Sequence, residues 1–362
     1  RSTQGYSSAA SDVYKRQTLQ FENALDAAYM DIISGAFSYQ DAVKNAVKGL
    51  AKDGIDAIIY PTGHKDKMDV AVRRAVLTGV NQTAAKLSLA RMEEMDCDFL
   101  ETTAHPGARP SHAEWQGKIF SRSGQSGRYP DFVRSTGYGT GAGLCGWNCR
   151  HSFFPYFEGL SERAYSREKL KEYETVKVTY NGQELSVYEA SQQQRYIERQ
   201  IRRWKREYMA MDAAGADTTE ASVKLAQWRA KQKDFINQTG LDEDNFRSQV
   251  YGFGRNQATK ATWINKNYKK LVNDLRGIHT TTGVTITDTS PHVMDQATAR
   301  GVSNSDIIDA LTNTLKTGKI RTDKSQQFIG KHATVVINID TGKVVTVWPT
   351  SSKKANKLKG ES

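Results

Sequence analysis

The sequence HPGARPSHAEWQGKIFS, residues His105–Ser121, begins the least regular part of the chain, and GYGTGAGLCGWNCRHSFFPYFEG, residues Gly137–Gly159, ends it. Between residues 104 and 157 glycine, histidine, proline and aromatic residues are dense, and neither a helical nor a strand period persists. A segment of this length with so little regular structure is usually functional or held by special contacts. We therefore expect a loop-rich His/Cys region inside an otherwise helical N-terminal module.

Cysteine and histidine at short spacing in this region suggest a metal site. Cys145, Cys149 and His151 form a Cys-x3-Cys-x-His sequence, and His105 and His112 lie upstream, so four zinc ligands could be assembled. The paired Cys-x2-Cys knuckles of common zinc sites are missing. The alternative is that the histidines bond to the backbone and the cysteines fill small buried spaces. The sequence favours this alternative, with no metal and no cofactor, and leaves zinc open.

Two further chemistries are considered for the same region. Cys149 could act as a nucleophile with His151 as its base, but we expect side chains so close in sequence to point in different directions, which places His151 poorly. The many glycines could cradle a phosphate, but no Gly-Lys-Ser/Thr signature is present, and they are better suited to tight backbone paths.

Helical periods precede this region. Residues 1–17 are Ser/Gln-rich, begin at Arg1 rather than Met, and are expected to be a non-native or disordered leader. Apolar spacing predicts helices from Thr18 to Ile33, from Tyr39 to Ala51 behind a Ser38 N-cap, and from Met68 to Met95. The last of these should bury one apolar set, listed as Val70, Ala71, Ala75, Val76, Val80, Ala84, Leu87 and Leu89. Residues 97–103 read as a strand.

A hairpin and a basic helical segment follow the loop-rich region. Asn181-Gly182 between two alternating runs predicts a β-hairpin over residues 173–188. Residues 190–278 are helical and basic, with a break at residues 212–219. Five cations lie near Trp204 and could neutralise phosphates, or they could form a solvated face. These cations are Arg199, Arg202, Arg203, Lys205 and Arg206.

The quoted motifs, together with DVAVRRAVLTGVNQTAAK at residues 69–86, resemble the phage minor capsid protein 2 family over about residues 18–165. The resemblance implies a minor head protein at or near the portal, located in the virion and able to be delivered with the DNA. It also implies phage portal and capsid proteins as partners, and packaged DNA as a further partner that stays open.

The last 80 residues predict a small α+β unit with an antiparallel sheet. Ser290 and Pro291 should start a helix that ends near Arg300, and Ser303 with Asp306 should start another. Predicted strands are GVTIT (283–287), KIRTD (319–323), ATVVINI (333–339) and KVVTVWP (343–349). The connecting helices are polar and basic and offer few large apolar residues, which predicts a loose interface with a protease-sensitive connection at residues 271–283.

The stretch IGKHATVVINIDTGKVVTVWPTSSKKA at residues 329–355 resembles the polymorphic toxin type 50 domain, of the barnase/EndoU-like ribonuclease fold, over about residues 278–359. The resemblance implies a metal-independent endoribonuclease that acts on a cellular RNA. It places that activity in the bacterial host cytoplasm and leaves an immunity protein open as a partner.

Cleavage of RNA by its own 2′-hydroxyl needs a base, an acid and a cation near the phosphate. Histidine and Lys/Arg suit these tasks, and hydroxyls can position the phosphate. Lys319 with Arg321, and Val344 with Thr346 and Trp348, should each share a strand face. His332 ranks behind His292. The candidate catalytic residues are His292, Arg300, Lys319, Arg321, Thr346, Thr350 and Ser351.

Composition limits the function classes. The 362 residues carry a net charge of +11, which suits an anionic partner. Three cysteines cannot form a disulfide framework, and no apolar run is long enough for a transmembrane helix, so no membrane partner is expected. We predict an α+β multidomain protein with a leader at 1–17, a minor capsid module at 18–172, a hairpin and basic helical spacer at 173–278, and a ribonuclease-like domain at 279–362. The alternative is a purely structural, DNA-contacting head protein with an inactive C-terminal domain.

Overall fold

A computed structural model of the chain describes residues 3–60 and 62–360, and the side chains of residues 3–16 are left out of the account. The fold mixes helices with small, mostly antiparallel sheets, which confirms the predicted α+β class. The chain divides into two compact units, residues 1–192 and residues 193–362. The domain boundaries predicted at 172 and 278 stay predictions. No helix in the described ranges has the length and apolar character needed to cross a membrane.

The first unit contains three long helices, short helices and three small sheets, of which two have two strands and one has three. Its helices are Thr3–Ile33 (α1), Tyr39–Lys52 (α2), Met68–Glu94 (α3), Pro110–Ala113 (α4), Phe132–Thr136 (α5), Arg167–Thr175 (α6) and the start of Val187–Ala213 (α7). Its strands are Ala57–Ile59 (β1), Lys65–Lys67 (β2), Phe99–Thr102 (β3), Ile119–Ser121 (β4), Phe153–Pro155 (β5), Lys177–Tyr180 (β6) and Gln183–Ser186 (β7).

Helix α2 forms as predicted because Ser38 accepts a hydrogen bond from the Asp41 backbone N–H and fixes the first turn. Helix α1 begins at Thr3 rather than at Thr18, so the predicted start is wrong. Arg1 and Ser2 of the predicted leader lie outside the described residues. Helices α1, α2 and α3 pack together, and the Tyr29 hydroxyl of α1 lies 3.2 Å from the Thr83 hydroxyl of α3.

The predicted buried face of α3 is partly wrong. Ala84 and Leu87 are exposed, whereas Val72, Ala85 and Met92 are buried. Apolar residues occupy more than one face of this helix, so periodicity alone does not determine which face packs.

The loop-rich region surrounds a three-stranded antiparallel sheet with the order β4–β3–β5. Its core is formed by aromatic and aliphatic side chains that come from the end of α3, from the sheet and from the loops. They include Met92, Leu100, Trp115, Phe120, Phe132, Leu144 and Phe153. The β6–β7 hairpin is confirmed, with Asn181 and Gly182 at positive φ values of 50° and 77°.

The second unit completes α7 and adds Thr219–Thr239 (α8), a 3₁₀ turn at Asn245–Ser248, Arg255–Leu275 (α9), Asp288–Thr289 (β8), Pro291–Ala299 (α10), Asn304–Thr312 (α11), Lys316–Thr317 (β9), Ser325–Ile329 (β10), Ala333–Asn338 (β11), Lys343–Pro349 (β12) and Ser352–Lys359 (α12). The break between α7 and α8 is confirmed. The sheet order is β8–β12–β11–β10–β9, in which β8 pairs in parallel and the other pairs are antiparallel.

Both predicted caps in this unit are confirmed: Ser290 precedes Pro291 in α10, and Ser303 forms a capping box with Asp306 in α11. Strands β11 and β12 are confirmed. The predicted strand at 283–287 is wrong, since these residues form one isolated bridge, between Thr285 and His279, and no longer strand. The segment bonds instead to the chain just before it, for example through the Gly277 N–H, which donates to the Ile286 C=O.

The predicted strand at 319–323 is also wrong. These residues form a loop and turn, and the strand begins only at Ser325, after Lys324 adopts a positive φ of 62°.

The predicted loose connection at residues 271–283 is wrong. Leu271 and Leu275, one turn apart at the end of α9, are buried in the same core as Val293, Leu311 and Val335. Helix α9 is therefore part of the packing that supports the C-terminal sheet.

Candidate functional site

Three metal-ligating side chains converge in the loop-rich region of the first unit. His112 lies on α4, which starts at Pro110, while Cys149 and His151 lie on the loop that leads into β5. Their candidate ligand atoms all lie within 4.8 Å of one another. Both histidines are 2% exposed and Cys149 is half-buried.

The three atoms form a small triangle. His112 Nδ1 lies 3.4 Å from His151 Nδ1. Cys149 Sγ lies 3.7 Å from His112 Nδ1 and 3.8 Å from His151 Nδ1. The expectation that the side chains of Cys149 and His151 point in different directions is therefore wrong, since both reach the same cluster.

The outer ring nitrogens of both histidines are held by acceptors. His112 Nε2–H donates to the carbonyl of Ala142 at 2.9 Å, and His151 Nε2–H donates to Gln116 Oε1 at 3.1 Å. The backbone N–H of His105 donates to the same Gln116 Oε1 at 3.1 Å, which fixes the orientation of that amide.

Burial controls protonation in this cluster. Removal from water lowers the pKa of His151 to about 3, with further lowering by His105, His112 and Arg109, and burial also lowers the pKa of His112. Burial raises the pKa of the Cys149 thiol. Neutral imidazoles next to a protonated thiol are poorly matched to proton abstraction by His151, which weighs against a nucleophilic Cys149.

Cys145 and His105, the other members of the predicted zinc set, lie at the edge of the cluster. Cys145 Sγ donates to the His151 carbonyl at 3.8 Å, and burial raises its pKa to about 12. The His105 ring stacks on His151 with centroids 4.4 Å apart, and its Nδ1 lies 2.9 Å from the Pro106 carbonyl. The sequence analysis named every residue of the cluster, but spacing alone could not show which three would place their ligand atoms close together.

The residues predicted for RNA cleavage lie at several places around the C-terminal sheet. His292 is in the first turn of α10, and Arg300 is the C-cap of the same helix. Eight residues of helix separate them by about 12 Å. Arg300 Nη1 donates to the Val347 carbonyl at 3.2 Å, which brings this cation to the backbone of β12, one residue along the strand from Thr346.

Lys319 and Arg321 lie at the edge of the sheet that is farthest from β12. Gly318 N–H donates to Gln327 C=O and Arg321 N–H donates to Ser325 C=O, so this loop follows the outer edge of β10. Strands β10 and β11 therefore separate the loop from β12 by about 14 Å, at about 4.8 Å a step. The structure does not bring these two cations to Arg300.

The predicted shared face of Val344, Thr346 and Trp348 is wrong for Val344, whereas Thr346 and Trp348 share a face as predicted. A register shift pairs Thr346 with Val336 but Val344 with Ile337, which leaves Val345 as an extra residue. Val344 and Val347 consequently both point into the core, on the side opposite to Thr346.

Two further predicted residues have structural contacts. The Thr350 hydroxyl lies 2.7 Å from that of Thr334, and the Thr350 backbone N–H donates to His332 C=O. The Ser351 hydroxyl accepts from Lys354 N–H as the N-cap of α12.

The basic segment of α7 divides into inward and outward residues. Trp204 and Lys205 are buried, and Lys205 Nζ donates to the Ser248 carbonyl at 2.7 Å. Arg199 and Arg203 are exposed. Trp204 and Lys205 are therefore part of the helical core rather than of a phosphate-binding face.

Comparisons with known proteins match one family model and two phage structural proteins. The family model of phage minor capsid protein 2 matches residues 4–237. A structural protein of Lactococcus phage LL-H is 25% identical over 254 residues, which cover 68% of this chain and 62% of that protein. A structural protein of Lactococcus phage mv4 is 36% identical over 126 residues, which cover 34% of this chain and 89% of that protein.

The chain thus spans about 62% of the length of its LL-H relative. No solved structure matches it. Residues 238–362 lie beyond the family match.

Proposed function

The chain belongs to the phage minor capsid protein 2 family, and from that premise we propose that it occupies a position beside the portal of the phage head, held there by its N-terminal helices. As a member of this family it is a structural component of the virion that associates with other capsid components.

The observation that carries this proposal is the apolar surface of α1 and α3. Monomeric proteins keep such exposure low, and large exposed apolar areas are typical of protein interfaces. The Tyr29–Thr83 contact shows that the two helices pack against each other. Five large side chains on them are more than half exposed, namely Leu19, Met30, Ile33, Leu77 and Leu87.

Co-expression with the portal protein and, separately, with the major capsid protein of the same phage tests this role. We expect the full chain to co-purify with the portal protein, and Leu87→Glu to weaken that association at least tenfold. Lys86→Glu, which introduces the same side chain at an exposed position one residue away on α3, is the matched control. Association unchanged by Leu87→Glu would contradict the docking role of this surface.

Packaged DNA is proposed as a second partner of the head protein. The exposed Arg199 and Arg203 on α7 and the net charge of +11 support it. We expect duplex DNA to bind with an affinity that falls steeply as the salt concentration rises. The double variant Arg199→Gln/Arg203→Gln should reduce the slope of log affinity against log salt concentration by about two, because two phosphate contacts are lost. A slope that does not change in this variant would remove α7 from the DNA contact.

A second candidate function is an endoribonuclease in residues 279–362, acting in the host cytoplasm with RNA as substrate and an immunity protein as a further partner. The resemblance at residues 329–355 supports it, as does the bond that holds the Arg300 guanidinium at the Val347 carbonyl of β12. In this candidate Arg300 would supply a cation and Thr346 a hydroxyl to a phosphate. His292 as base, and Lys319, Arg321, Thr350 and Ser351 as further contributors, would require RNA to span both edges of the sheet.

RNA cleavage by the purified full chain, followed by analysis of the product ends, tests this candidate. We expect 2′,3′-cyclic phosphate ends, and a loss of at least tenfold in rate for Arg300→Gln, Thr346→Val and His292→Ala. Lys343→Gln, at an exposed position of β12, should cleave at the original rate. Absence of cleavage would leave the purely structural role, and cleavage unaffected by these three changes would remove the site assignment.

A further inference from the structure

We propose that one Zn²⁺ ion binds between His112 Nδ1, His151 Nδ1 and the Sγ of Cys149, in the loop-rich region of the first unit. The proposal stands on the geometry of these side chains and does not depend on the head-protein or ribonuclease roles. The names of the matched family and of the two relatives mention no metal.

The separations of the three atoms match those of ligands around one ion. With zinc–nitrogen bonds of about 2.05 Å, a zinc–sulfur bond of about 2.3 Å and tetrahedral angles, two nitrogens lie about 3.3 Å apart and a nitrogen and a sulfur about 3.6 Å apart. The observed distances are 3.4 Å between the nitrogens, and 3.7 and 3.8 Å from the sulfur to each of them. One ion can therefore contact all three atoms with shifts of a few tenths of an ångström.

The protons of the cluster point to the same conclusion. The carbonyl of Ala142 can only accept, so the single ring proton of a neutral His112 is on Nε2. Gln116 Oε1, fixed as an acceptor by the His105 N–H, places the proton of His151 on Nε2 as well. Two Nδ1 lone pairs then face each other at 3.4 Å in a buried site.

A thiol alone cannot satisfy both imidazoles. Cys149 has one proton to donate, so one Nδ1 would stay buried without a partner, and such a group is costly. A cation at the centre of the triangle satisfies both lone pairs and the sulfur together. Binding converts the thiol to a thiolate and releases its proton to solvent, so charge and protons balance.

The surrounding contacts are those that a metal-bound histidine requires. Histidine ligands of metals usually donate their second ring N–H to a carbonyl or carboxylate, which fixes both the tautomer and the ring orientation. Here Ala142 and Gln116 have that role. Water would fill the fourth position of the tetrahedron, since Cys145 and His105 lie outside the triangle.

The ion would connect two distant parts of a segment with little regular structure. Cys149 and His112 are 37 residues apart, and each lies on a short helix or loop instead of a long element. A cross-link between them stabilises the region that surrounds the β4–β3–β5 sheet. The expected effect is structural, and it appears as metal-dependent thermal stability.

The full chain, stripped of metal with a chelator and dialysed, is titrated with Zn²⁺ while its metal content and melting temperature are measured. We expect one equivalent of Zn²⁺, release of about one proton on binding, and a melting temperature that rises by several degrees. Co²⁺ in place of Zn²⁺ should give the near-ultraviolet absorption of a thiolate–metal bond.

Cys149→Ser should weaken Zn²⁺ binding at least tenfold and remove the Co²⁺–thiolate absorption, while Cys97→Ser, whose thiol bonds to the Phe99 carbonyl elsewhere, should retain both. His112→Gln is the second test should Cys149→Ser fold poorly. A folded wild-type chain that binds no Zn²⁺, or equal binding by wild type and Cys149→Ser, would overturn the site. Either result would assign the cluster to a thiol–imidazole hydrogen bond.

Discussion

Lys205 donates a hydrogen bond of 2.7 Å from its ammonium group to the backbone carbonyl of Ser248, although the residue is only 9% exposed. This bond connects α7 to the 3₁₀ turn that follows α8. Burial, together with the nearby Arg229 and Arg202, lowers the pKa of Lys205 from 10.5 to about 8. Keeping the Lys205 ammonium group charged in the folded state therefore costs free energy.

This lowered pKa predicts a pH dependence of stability. Between pH 8 and 10.5 the unfolded chain binds the Lys205 proton and the folded chain does not, so the contribution of Lys205 to the free energy of unfolding rises with pH in that interval. The total rise amounts to roughly 3 kcal/mol. Lys205→Met should lack this rise, whereas the exposed Lys269→Met should keep it. Urea unfolding at several pH values measures the difference, and parallel profiles for Lys205→Met and wild type would contradict it.

Gly143 has no space for a side chain. A Cβ at this position would overlap the backbone carbonyl of Gly137, which has little freedom to move because its N–H and C=O both take part in local hydrogen bonds. We expect Gly143→Ala to lower the free energy of unfolding by roughly 3 kcal/mol. Gly127→Ala, at an open position with an ordinary φ, should change it by less than about 0.5 kcal/mol. Equal stability of the two variants in urea would show that the Gly137–Gly143 contact is not maintained.

The end of α9 determines where a stable C-terminal fragment can begin. Leu275 is fully buried in the core beneath the sheet, so Leu275→Ala should cost about 3 kcal/mol. Trp263→Ala, at a 63% exposed position of the same helix, should cost less than about 1 kcal/mol.

A fragment that starts at residue 279 should accordingly unfold at a lower temperature than one that starts at residue 255. Equal melting temperatures for the two fragments would support the loose connection predicted at residues 271–283.

Short-range chemistry made parts of this fold predictable. The Ser303–Asp306 capping box and the Asn181-Gly182 turn each depend on residues within three positions, and both are present where the sequence places them. Ser38 at the start of α2 is a further example.

Long-range packing explains what the sequence could not show. The extra residue at Val345 in β12 reverses the faces of the strand, and it depends on how β11 pairs with β12. The histidine–cysteine cluster depends on His112 reaching a loop 37 residues away. Neither spacing nor alternation contains that information, because both describe neighbours along the chain.

The hydroxyls of Thr334 and Thr350 test whether a predicted catalytic residue is structural. They lie 2.7 Å apart, Thr334 is fully buried, and among the described residues each is the hydroxyl partner of the other. Thr350→Val leaves the Thr334 hydroxyl without that partner and should cost about 1–3 kcal/mol.

The double variant Thr334→Val/Thr350→Val removes both polar groups and should recover most of that loss, a coupling that a double-mutant cycle in urea measures. A catalytic Thr350 hydroxyl would give the opposite result, because Thr350→Val would then abolish RNA cleavage while the stability of the single and double variants stayed additive. The close pairing of the two hydroxyls favours the structural outcome.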